Sequence, residues 1–145
     1  MIAYADTSFL ASLYGADANS AQAVRQIETA RPIFLITPLS ELEFITAFEA
    51  LAFRKILSAA EVEASTQAFR DDLAAGVLTR KPVPQDAFAR AVFLSKLHTR
   101  TLGSRTLDIL QVAIALELDA AVFFTFDKDQ ARLAKRAGLT VRPGR

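Results

Sequence analysis

Short apolar runs recur along this chain, and each is followed by a stretch with helical periodicity. "MIAYA", "IFLIT", "VLTRK", "AAVFFTF" and "LTVRP" read as five strands. Between them lie helical segments, among them "TSFLASLYG", "SAQAVRQIETA", "LSELEFITAFEALAFR" and "VEASTQAFRDDLAA". "PQDAFARAVFLSKLHTR", "LDILQVAIALEL" and "KDQARLAKRAG" complete the set. Local punctuation agrees with this reading. Thr37-Pro38 suits an N-cap followed by a first helical position. Ser58 and Glu61 have the spacing of a capping box. Gly76, Gly103 and Gly138 stand where helices stop. Strands alternating with helices predict an α/β fold with a mainly parallel sheet of about five strands. A chain of 145 residues suits one domain, 1–145, with a single sizeable core. In such sheets ligands collect at the carboxyl ends of the strands.

Four acids sit in apolar company without obvious partners. Asp6 ends the first strand and Asp127 ends the fourth. Either would serve as the N-cap of the helix that follows. Asp108 opens the run "LDILQVAIAL", with no cation three or four residues on. A first-turn acid also suits the helix dipole. In "LSELEFITAF", Glu41 and Glu43 both have uncharged neighbours at helical spacing, and spacing alone does not choose between them. Carboxylates that cluster raise one another's pKa, and a divalent cation removes that penalty. Such an ion also lowers the pKa of a bound water and stabilises charge on a phosphoryl oxygen. The acids as a set therefore point to metal-assisted phosphodiester hydrolysis. By contrast, Asp71, Asp72, Glu61 and Glu63 read as ordinary solvated charges.

Composition narrows the chemistry further. The chain has no cysteine and one histidine, His98, so thiolate and multi-histidine metal sites are excluded. Oxygen ligands favour hard cations such as Mg²⁺ or Mn²⁺. His98, near a helix end, reads as a capping or surface residue. Neither a phosphate-binding G-x-x-x-x-G-K-[ST] nor a G-x-G-x-x-G motif is present. No stretch is long and apolar enough to span a bilayer, and the start does not read as a signal peptide, so a cytoplasmic location is expected. The formal net charge of +1 says nothing about nucleic acid; its distribution does. Arg132, Lys135 and Arg136 share a helical face, either a solvated one or a patch that tracks phosphates. Arg105, three residues before Asp108, is placed either to contact RNA or to pair with a carboxylate.

At these residues the sequence resembles the PIN-domain family, and within it the VapC-type toxin ribonucleases. "YADTSFLASLY" resembles the family's opening strand, first acid and the Thr/Ser that follow. "TPLSELEFITAF" resembles the second acidic motif, Glu-x-x-Asn-Ala, with Thr46 in place of Asn. That register selects Glu43 over Glu41. "LGSRTLDILQVAIAL" supplies the third acid, Asp108, and "FFTFDKDQARLAKRAGL" the fourth, Asp127. The resemblance spans nearly the whole chain. It implies a three-layer α/β/α sandwich and Mg²⁺- or Mn²⁺-dependent endoribonuclease activity at Asp6, Glu43, Asp108 and Asp127. The metal is expected mostly on Asp6 and Asp108, with Arg105, Arg132 and Arg136 as candidate RNA contacts. It also implies a homodimer and neutralisation by a small VapB-like antitoxin, whose helix an exposed subset of the phenylalanines would receive. Two other classes compete: a phosphoacceptor or phosphatase domain, which also places an Asp at a strand end, and a catalytically idle PIN-like interaction module. Asp6 is followed by Thr7 and Ser8 rather than a second acid, which disfavours the former.

Overall fold

The computed structural model of the chain describes residues 1–144. The element order is β1 (Ile2–Ala5), α1 (Thr7–Tyr14), α2 (Ser20–Ala30), β2 (Ile33–Ile36), α3 (Pro38–Phe53) and α4 (Ala59–Ala74). Then follow β3 (Leu78–Arg80), α5 (Ala87–Leu102), α6 (Thr106–Glu117), β4 (Val122–Phe124), α7 (Lys128–Arg136) and β5 (Thr140–Arg142). The strands form one sheet in the order β3-β2-β1-β4-β5, and every pairing is parallel. This is the expected mainly parallel sheet of five strands. Ala3 stands opposite Phe34 on one side and Val122 on the other, so β1 is the central strand.

Side chains on a strand alternate between the two faces of its sheet, and the two cores follow that rule. Tyr4, Leu35, Phe123 and Val141 point to one face, where α5, α6 and α7 pack. Ala3, Ala5, Phe34, Ile36, Leu78, Val122 and Phe124 point to the other, against α1, α2, α3 and α4. The result is the three-layer α/β/α sandwich. On the second face Phe9 of α1 stacks on Phe124 and on Phe126, with ring centroids 4.7 and 5.3 Å apart. This ties the start of α1 to the end of β4.

From β1 at the centre, the sheet builds outward through β2 and β3, then on the other side through β4 and β5. The direction reverses between β1 and β4. A crevice outside the carboxyl ends of strands at such a reversal is the usual ligand site of an open α/β sheet. Asp6 follows β1 directly, and Asp127 lies three residues beyond β4.

Local punctuation is as read from the sequence. Thr37 accepts from Ser40 N, with Pro38 opening α3, and Ser58 and Glu61 close a reciprocal capping box. Other details differ. The helix expected from Pro84 begins at Ala87, because Pro84 carbonyl accepts from Ala87 N in a turn. Asp72 is not simply solvated: it accepts a 2.6 Å bond from Tyr14 Oη, whose ring packs edge-on against Phe44 and Phe69. Phe53 is 88% exposed, unlike Phe44 and Phe48 on the same helix, which belong to the core.

Candidate active site

Asp6 is buried. Its extended backbone makes it the N-cap of α1, and its Oδ1 accepts from Phe9 N at 3.1 Å and from Ser8 Oγ at 2.6 Å. Thr125 Oγ1 donates to the other oxygen. Both hydroxyls also hold the loop after β4: Ser8 Oγ accepts from Phe126 N, and Thr125 Oγ1 from Asp127 N, each at 3.0 Å. Two short side chains thus staple the ends of β1 and β4 across one carboxylate. Burial pushes the Asp6 carboxyl up to about 6; the hydrogen bonds from Ser8, Thr125 and Phe9 oppose this, and the nearby Asp127 charge adds to it.

Asp127 is exposed, so burial does not explain its placement. It caps α7, its Oδ1 accepting from Asp129 N at 2.8 Å and Gln130 N at 3.1 Å. For both strand-end acids, the capping role and membership of the acidic cluster are present together.

Glu43 and Asp108 reach the same edge from α3 and α6, and both are half-buried. Burial raises the Glu43 carboxyl first of all; Gln111 opposes the rise, and the Asp108 charge reinforces it. Asp108 is raised by burial and by Asp127 and Asp129, with Arg105 acting against them. Asp6, Glu43 and Asp108 therefore each feel another of the four acids. Among the described residues none of the four is in an ion pair. Glu41 points elsewhere and pairs with Arg80.

A buried polar network fixes Glu43. Gln111 Nε2 donates to Glu43 Oε1, and Gln111 Oε1 accepts from Tyr4 Oη. The Tyr4 hydroxyl also lies 2.8 Å from Ser40 Oγ and 3.2 Å from Thr37 Oγ1. Burial drives Tyr4 to about 12, so it stays a neutral donor. Gln111 is 2% exposed and has both ends of its amide satisfied. The sequence held a signal for it: a lone glutamine in an apolar helix, three residues after Asp108. Tyr4 in the first strand gave none. The hydroxyl of Thr7 approaches Glu43 and opposes the rise of its pKa, without closing a hydrogen bond of normal geometry.

The candidate RNA contacts separate. Arg105 is exposed at the N-terminus of α6, and its charge bears on Asp108. Arg132 pairs with Asp129 beside the acids. Arg136 reaches Thr101 of α5 at 3.3 Å. His98 is half-buried near the end of α5, away from these residues in the chain.

The donor set fits a hard divalent cation: carboxylates, hydroxyls and no counter-cation in an ion pair among them. Among the described residues, no three acids converge as a cage for one ion.

Among solved structures, the chain is similar to VapC20 of Mycobacterium tuberculosis, described as a toxin cleaving the sarcin-ricin loop. The identity is 21% and the TM-score 0.68, over 95% of this chain and 96% of that one. It is also similar to PAE2754 of Pyrobaculum aerophilum, with 17% identity and a TM-score of 0.62, over 97% of this chain and 83% of that one. Curated protein sequences give no significant match. The family model for the PIN domain matches residues 3–136, which takes in all four acids. The chain belongs to the PIN-domain family.

Proposed function

We propose that this protein is an Mg²⁺- or Mn²⁺-dependent endoribonuclease of the VapC toxin type, built as a single PIN domain. The observation that carries this is the cluster of Asp6, Glu43, Asp108 and Asp127 at the reversal of strand order. Asp6, Glu43 and Asp108 have raised carboxyl pKa values, and none of the four has an ion-pair partner among the described residues. Asp6 and Asp108 would hold most of the metal. A bound divalent ion supplies Lewis-acid stabilisation of phosphoryl charge and an acidified water. The chain's own part is positional. Ser8 and Thr125 set the Asp6 oxygens, Gln111 sets Glu43, and the α7 amides set Asp127. Burial and the neighbouring acids raise the proton affinity of Glu43 and Asp108, which suits a part in proton transfer.

The partner proposals follow the VapC-type reading. The substrate is RNA, and a small VapB-like antitoxin neutralises the enzyme. An apolar cleft of about 470 Å³ between α1, α3 and α4, with Tyr14, Phe48, Leu51 and Ile56 on its walls, suits an amphipathic antitoxin segment. The protein would act as a homodimer in the cytoplasm; among the described residues no helix is long and apolar enough to cross a membrane. The catalytically idle PIN module is the second reading, favoured by the absence of a three-acid cage among the described residues. Cleavage of total cellular RNA with Mn²⁺, with EDTA, and by Asp6→Asn separates the two. Mn²⁺-dependent cleavage that Asp6→Asn loses is expected; cleavage that persists in EDTA or in folded Asp6→Asn would falsify the mechanism.

A further inference from the structure

A second concavity opens beside the acids on the same edge of the sheet. It has a volume of about 440 Å³ and lies between the start of α2 and the α7–β5 unit. Thr125 and Asp127 line it, so it is continuous with the acidic site. Three cations of α7 line it as well: Lys128, Arg132 and Lys135. Arg132 is shared with Asp129, whereas Lys128 and Lys135 are in no ion pair among the described residues. Across from them stand two carboxamides, Asn19 and Gln22, whose side chains have no intramolecular hydrogen bond among the described residues. Phe126, Val141 and Pro143 supply apolar surface.

We propose that this cleft is the subsite for the unpaired nucleotide next to the scissile phosphate, with Lys128 and Lys135 on the RNA backbone and Asn19 and Gln22 on the base edge. The inference rests on the nuclease reading. The two lysines attract an anion, and they line the cleft just beyond Asp127, within reach of a phosphate flanking one held at the acids. Carboxamides carry both donors and acceptors and so can read a base edge. An apolar surface beside them gives the base a place to stack or rest. The volume lies near the small end of ligand clefts, which span roughly 300–1,000 Å³. A cleft of that size suits one nucleotide of a single strand. Arg136, turned toward Thr101, does not line this cleft.

The test is steady-state cleavage, in Mn²⁺, of a short single-stranded RNA carrying a site mapped on total cellular RNA. Wild type, Lys128→Ala/Lys135→Ala, Asn19→Ala/Gln22→Ala and the remote Arg70→Ala are compared, with thermal melts as a folding check. The lysine pair should raise KM about tenfold with kcat little changed. It should also flatten the logarithmic salt dependence of binding by about 0.7 for each phosphate that is no longer neutralised. The carboxamide pair should blur the preference for the base beside the cut. Arg70→Ala should match wild type. An unchanged KM in the folded lysine variant, with wild type cleaving, overturns the subsite and leaves the nuclease intact. Equal losses in Arg70→Ala overturn it too, since attraction would then be diffuse. If wild type cleaves no RNA, the nuclease reading itself fails and the subsite with it.

Discussion

Asp6 is held in an unfavourable state. Its carboxyl is raised from near 4 to about 6, on the order of 3 kcal/mol of penalty for the charged form. A folded-state pKa above the unfolded one means the native protein binds the extra proton between those two values. Without metal, stability should therefore fall as pH rises from about 4 to about 6, then level off. Glu43 and Asp108 are shifted in the same direction and add to that slope. Urea titrations in EDTA across this range will show it, and Asp6→Asn should flatten the curve and be no less stable than wild type at neutral pH. An apo protein that instead gains stability over this window would remove the case for repelling acids. The pair Glu41 and Glu43 gives a second test. Glu41 is bound to Arg80 at the surface, while Glu43 faces Gln111 and Asp108. Cleavage rates should survive Glu41→Gln and collapse in Glu43→Gln; the reverse would mean that the second motif is in the wrong register.

Elements and their ends are legible in the sequence, because caps, glycines and strand runs act locally. Ser58 with Glu61, and Thr37 with Pro38, behave as their spacing implies. The four acids can also be picked out, since each breaks an apolar run. Their supports are harder to see. Ser8 and Thr125 are distant in sequence and meet only through the pairing of β1 with β4. Tyr4 and Gln111 meet through the packing of α6 on the sheet, which no local pattern encodes. Asp72 escapes a local reading for the same reason, its partner Tyr14 lying on another helix. Substitutions at element ends can separate the two duties of Asp127. Serine caps a helix about as well as aspartate. Asp127→Ser should then keep the melting temperature nearly unchanged and still lose most cleavage. Lost stability with retained cleavage would make Asp127 a cap and nothing more. Gln111→Met should lower stability by about 1–3 kcal/mol, since it removes the hydrogen bonds to Tyr4 Oη and Glu43 Oε1, while Tyr4 keeps Ser40 and Thr37.

Across the whole molecule, metal binding should appear as stability. An ion that binds only the folded chain adds about 2.7 kcal/mol at 100 times its dissociation constant. For a domain of this size that is roughly 5–10 °C in melting temperature. Mn²⁺ should raise the wild-type melting point by that order, and far less in Asp108→Asn. Equal wild-type melts in Mn²⁺ and EDTA would leave Asp6 and Asp127 as caps and the acids without a metal. The apolar cleft makes a separate prediction. Ile56→Asp should keep Mn²⁺-dependent cleavage but escape neutralisation by a VapB-like antitoxin. Full neutralisation of that variant would move the antitoxin elsewhere. The placement of β1 at the centre of the sheet has one more consequence. Asp6 leaves the ribosome long before Thr125 and Asp127, on which its site depends. A nascent chain that stops short of β4 cannot assemble the cluster. On the nuclease reading, a cell translating this chain is shielded from its activity until β4 and the loop after it have paired with β1.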